Sequence, residues 1–86
     1  APVADAARRG DAAGVKALIA QGADVNASLG DGMTALHWAA ERGDDALVQV
    51  LLAAGATVQV RTRLGDYTPL HLAARVGSGP AVNALL

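Results

Sequence analysis

Two histidines stand out as side chains able to do chemistry near neutral pH. His37 and His71 each lie three residues after a threonine, Thr34 and Thr68, but far from each other in the chain. Imidazole serves as a general base or a metal ligand when a second group supports it. A helical zinc pair needs histidines four residues apart, or thiolates nearby. Neither condition is met, and the chain has no cysteine. Ser28 and Ser78 could complete a Ser-His-Asp set on paper, but neither sits in a Gly-x-Ser-x-Gly turn. Gly30-Asp31-Gly32 is not followed by the Gly-Lys-Ser/Thr of a phosphate loop. Arg61, Arg63 and Arg75 gather in one stretch that could hold a carboxylate or phosphate bidentately. The preferred reading is a solvated edge whose charges oppose sheet-like aggregation. The expectation is no catalytic residue, no metal and no cofactor.

The placement of the histidines belongs to a larger pattern. Thr34-Ala35-Leu36-His37-Trp38-Ala39-Ala40 returns as Thr68-Pro69-Leu70-His71-Leu72-Ala73-Ala74, and Gly22-Ala23-Asp24-Val25-Asn26-Ala27 returns as Gly55-Ala56-Thr57-Val58-Gln59-Val60. Gly10 and Gly43 are separated by the same interval as Gly22 and Gly55, whereas Gly77 lies one position further from Gly43. The third unit therefore holds one extra residue between Gly55 and Thr68, where a loop accepts it most easily. A fixed period of about 33 residues implies stacked units that bury their apolar faces against one another.

Each unit reads as two short helices and a turn. Thr34 caps a helix over residues 35–42. Gly43 ends that helix in the left-handed conformation. Asp44 then caps a second helix over residues 46–54, whose Leu47, Val48, Leu51 and Leu52 fall at helical spacing. Asp11 and Ser78 hold the same capping place after Gly10 and Gly77. Pro69 and Pro80 fall in first turns, where a missing N–H costs nothing. Between Gly55 and Thr68 the chain alternates, Val58 and Val60 against Thr57 and Gln59, and turns at Gly65-Asp66.

The Thr-Pro-Leu-His-Leu-Ala-Ala phrase at residues 68–74, the Gly-Ala-Asp-Val-Asn-Ala phrase at 22–27 and the repeat period resemble the ankyrin repeat, over essentially the whole chain. The resemblance implies an all-α solenoid of stacked helix-turn-helix units joined by β-hairpin-like loops. It divides one domain, 1–86, into units of about 1–27, 28–60 and 61–86. It also implies that each histidine hydrogen-bonds to the threonine of its own motif and to backbone, tying neighbouring hairpins together. The first unit departs from the pattern. Ala1 and Ala4 stand at the Thr and His positions, and Asp5 stands where Trp38 and Leu72 recur. A more polar outer face suits a terminal cap.

Composition excludes several classes. The formal charge of −1 offers no field to draw nucleic acid or anionic lipid. No apolar run approaches the roughly 20 residues of a membrane span. Six arginines to one lysine, with abundant alanine, point to a GC-rich bacterial coding sequence. The Ala1-Pro2 start would suit a mature end left by signal peptidase, and hence a secreted or periplasmic protein; otherwise the expectation is the cytoplasm.

Two binding expectations follow. In the resembled family, the residue before the capping threonine and the hairpin tip line a concave face that grips protein partners. Here that face would comprise Gly30, Asp31, Met33, Trp38, Glu41, Arg42, Leu64, Asp66, Tyr67 and Arg75. Trp38 reads equally well as inter-repeat filling, since Leu72 takes its place one unit on. The alternative is a subunit that self-assembles end to end. Val82, Leu85 and Leu86 would close on Val3, Val15, Leu18 and Ile19 of a second copy, a heterologous contact that propagates into a filament.

Overall fold

Hydroxyl and carboxylate caps start every helix whose N-cap is described. The computed structural model describes residues 2–59, 61, 62, 65 and 67–86. Among these residues six helices follow in order: α1 (Pro2–Arg8), α2 (Ala12–Ala20), α3 (Ala35–Glu41), α4 (Asp45–Ala53), α5 (Pro69–Arg75) and α6 (Gly79–Leu85). The Gly14 N–H donates to Asp11 Oδ1 at 2.9 Å, and the Leu47 N–H to Asp44 Oδ1 at 3.1 Å. Ser78 Oγ accepts from the Ala81 N–H at 3.4 Å. Each cap satisfies an amide that the first helical turn cannot. Helix α3 stops one residue before the expected Arg42, which serves as its C-cap, and α4 begins one residue early at Asp45.

The turn inside each pair is a Schellman motif. At Gly43, with φ of +66°, the Gly43 N–H reaches the Ala40 carbonyl and the Asp44 N–H reaches the Ala39 carbonyl. The residue that completes this C-cap is also the N-cap of the next helix. Two helices are thereby folded back on each other with no spare residue.

Helices α1, α3 and α5 pack side by side as one row, and α4 lies against α6 behind it. The row is close because its facing residues are small: Ala4, Ala6, Ala7, Ala35, Ala39, Ala40 and Ala73 are all fully buried. Leu36, Leu47, Val48, Leu51 and Leu72 are buried with them in one apolar core. Truncating one of these leucines to alanine would cost about 2–5 kcal/mol, because a packed core relaxes only partly into the cavity.

The connecting loops are hairpin-like, a backbone bond closes each, and no strand is present among the described residues. The Leu29 N–H donates to the Met33 carbonyl at 3.0 Å, and the Thr62 N–H to the Tyr67 carbonyl at 2.9 Å. The second closure spans one residue more than the first. The extra residue of the third unit therefore lies inside the second loop, between Thr62 and Tyr67. Gly32 and Gly65 are separated by the same interval as Gly22 and Gly55, and have φ of +82° and +83°. Of the expected alternation, Thr57 and Gln59 are exposed and Val58 is half-buried, while Val60 lies outside the described residues.

Candidate functional site

Tyr67 is held more firmly by its backbone than its exposed ring suggests. Its carbonyl accepts two hydrogen bonds, from the Thr62 N–H at 2.9 Å and from His37 Nε2 at 2.9 Å. Its own N–H donates to Thr62 Oγ1 at 3.0 Å. Both lone pairs and the amide are thus used, and the phenol projects from a fixed base with 39% of the residue exposed. A preorganised aromatic of this kind loses little entropy on binding.

The donor pattern fixes the state of His37. Its Nδ1 accepts from the Thr34 N–H at 3.1 Å and lies 2.9 Å from Thr34 Oγ1. A nitrogen that accepts carries no proton, so the proton sits on Nε2 and is donated to Tyr67. His37 is fully buried. It is a strut between the second and third units, with both nitrogens committed to structure. His71 makes the same closure on Thr68, at 3.1 Å to the amide and 3.0 Å to the hydroxyl. It is exposed, and its ring lies edge-on to Tyr67 with centroids 6.4 Å apart.

An open cleft of about 250 Å³ lies between the second and third units. The loops contribute Asp31, Met33, Thr62 and Tyr67; the helices α3 and α5 contribute Trp38, Glu41, Leu72 and Arg75. Charge is arranged across its mouth. Arg75 Nη2 donates to Glu41 Oε1 at 2.9 Å, and the guanidinium carbon stands 5.3 Å from the centre of the Tyr67 ring. Asp31 Oδ1 accepts from the Met33 N–H at 2.9 Å, which keeps the carboxylate at the loop. The indole Nε1 of Trp38 is buried and has no hydrogen-bond partner among the described residues. A buried unpaired donor costs about 1–3 kcal/mol.

Six of the ten expected contact residues therefore converge: Asp31, Met33, Trp38, Glu41, Tyr67 and Arg75. They differ in availability. Met33 is only 8% exposed and belongs chiefly to the core. Gly30 sits exposed at its turn away from the cleft lining, and Arg42 reaches back to the Arg8 carbonyl at 3.5 Å. Leu64 and Asp66 lie outside the described residues. Sequence reasoning missed Thr62 and Leu72. The signal for Leu72 was present, since it repeats the position of Trp38. Thr62 showed itself only through the longer loop, where its hydroxyl takes over the amide-capping role that Asp31 plays for Met33.

The residues expected to meet end to end differ in burial. Val3, Val15 and Leu85 are closed into the core. Packing within the single chain buries these side chains. Leu18, Ile19 and Val82 are partly buried, and Leu86 is exposed.

Asp5 closes the outer edge of α1. It pairs with Arg8 and, at 3.4 Å, with Arg9. The Arg8 hydrogen bond holds its carboxyl below the usual carboxylate range, against a smaller opposing effect of desolvation.

A family model for ankyrin repeats matches residues 3–86 in three copies. The chain belongs to the ankyrin-repeat family. No curated protein matches it. Ankyrin repeats are in general protein–protein interaction modules and are typically non-enzymatic.

Proposed function

We propose that this chain is a non-enzymatic protein-binding module, and that the cleft between its second and third units is the contact site. The observation that carries the reading is Tyr67. Its backbone is pinned by three hydrogen bonds while its ring stays exposed beside the cleft that Trp38 also lines. Interface energy concentrates in such rigid aromatic anchors, set in partly desolvated pockets with a polar rim. Glu41, Arg75 and Asp31 supply that rim. The lining also comes from loops and first helices, the elements expected to form the concave face.

The non-enzymatic part rests on how the histidines are spent. His37 has both ring nitrogens committed, and His71 has Nδ1 committed to Thr68. Among the described residues, no hydrogen bond joins either ring to a serine hydroxyl. End-to-end assembly is the weaker reading, because three of its seven proposed contact residues are buried within a single chain.

The test is a selection of displayed random peptides on the wild-type protein. Retained peptides are then measured against Tyr67→Ala and Trp38→Leu. Loss of at least about tenfold in affinity, some 1.4 kcal/mol, is expected for each. Peptides that bind both variants unchanged would place the contact site elsewhere.

A further inference from the structure

We propose that the cleft receives a basic side chain, a lysine or arginine of the protein partner, and that Arg75 occupies that seat in the unbound chain. This rests on the protein-binding reading above and narrows it to one partner chemistry.

A cation already sits there. A guanidinium lies over the Tyr67 ring at 5.3 Å and is held by Glu41 at 2.9 Å. The ring and the carboxylate together form a seat that accepts a cation, since the face of an aromatic ring carries negative potential. The occupant is loosely held. Its side chain is 52% exposed and the pair with Glu41 bridges two units at the surface, where solvent and salt screen it. An incoming cation can replace it at little cost.

Charge complementarity separates the candidate occupants. Among the described residues, the lining holds two carboxylates, Asp31 and Glu41, and one guanidinium, Arg75, an excess of one negative formal charge. An acidic partner residue would face both carboxylates and only a guanidinium that is already engaged. A purely apolar residue would strip water from the same carboxylates with nothing in return. A lysine or arginine satisfies both parts of the site. Its methylene stem lies along Leu72 and the Trp38 ring, and its head reaches Tyr67, Glu41 and the Asp31 carboxylate. A volume of about 250 Å³ suits one such extended side chain.

Acetylated, amidated tripeptides test this, with arginine, lysine, glutamate or leucine between two alanines. Each is titrated into the isotope-labelled protein, following the single indole resonance of Trp38 and the ring of Tyr67. The arginine and lysine peptides are expected to give saturable shifts at both residues. Arg75→Ala should tighten them about threefold by vacating the seat, and Glu41→Gln should weaken them by a similar factor. Both positions are at the surface, and Arg75→Gln repeats the test should the alanine variant lose its melting transition. If the leucine peptide binds as well as the basic ones, the cation preference is overturned and the protein-binding reading stands. If the glutamate peptide binds best, or Arg75→Ala weakens the basic peptides, Arg75 is itself the recognition element and the proposal fails. If no tripeptide moves either resonance, the proposal also fails, while the peptide selection judges the binding reading independently.

Discussion

His37 Nε2 donates to the carbonyl of Tyr67 across 30 residues of sequence, at 2.9 Å. One imidazole thus joins the start of α3 to the loop that presents the exposed aromatic ring. The equivalent ring, His71, makes only the bonds to its own Thr68 among those the described residues show. His37→Ala should therefore be the costlier change. It strands the Thr34 amide and one lone pair of Tyr67 and opens a cavity at a fully buried position, for about 2–4 kcal/mol. His71→Ala should cost about 1 kcal/mol, the worth of local hydrogen bonds at an exposed site. Urea denaturation of both variants checks the order, and equal costs would rule out the strut.

Thr62 holds the same ring from the other side. Its hydroxyl accepts the Tyr67 N–H at 3.0 Å. Thr62→Val keeps the shape and removes the acceptor, so a loss of about 1 kcal/mol in stability is expected. The more telling readout is the Tyr67 ring, whose resonances should broaden or shift as its base loosens. A valine variant with unchanged Tyr67 resonances would show that the loop is held by other contacts.

Much of this architecture could be read from residue order because the ankyrin unit is built from local rules. Thr34, Asp44, Thr68 and Ser78 cap helices within three residues of themselves, and Gly43 and Gly77 take the one conformation that a Cβ disfavours. Such features depend on neighbours in sequence. The pinning of Tyr67 depends instead on Thr62, in the same loop, and on His37, a whole unit away. It also depends on a loop one residue longer than its counterpart. Periodicity placed Met33 and Tyr67 in one slot, yet Met33 is buried and Tyr67 exposed. The two loops differ in length by one residue, and periodicity carries no sign of how the longer one closes. The same limit explains Val3, Val15 and Leu85. An apolar residue on an end unit looks free in sequence until its own helix pair closes over it.

Asp5 gives a pH dependence with a definite sign. Its carboxyl titrates lower in the folded chain than the roughly 3.9 of an unfolded one, through Arg8 first. A lowered pKa means that the folded state favours the ionised form. The stabilisation is present above pH about 4 and disappears as pH falls through the folded pKa below that value. The pair is half-exposed, so its effect is small and fades in salt. Asp5→Asn should lower the melting temperature slightly at pH 7 and low salt, and leave it unchanged near pH 2. A larger effect at pH 2 than at pH 7 would contradict the pairing.

Trp38 separates stability from binding most sharply. Its indole N–H is buried without an acceptor among the described residues, a cost that offsets part of what its ring gains by packing against the core. The third unit shows that the position does not require it, since Leu72 fills the equivalent place and is buried there. Trp38→Leu removes ring volume, which destabilises, and removes the stranded donor, which stabilises. The two effects are each about 1–3 kcal/mol, so the net change should fall within about 1 kcal/mol of zero. Cleft ligands, by contrast, lose an aromatic wall and should weaken markedly. Denaturation and peptide titration on one sample distinguish the outcomes. A variant that is strongly destabilised and binds normally would make Trp38 a packing residue and leave the cleft to Tyr67 alone.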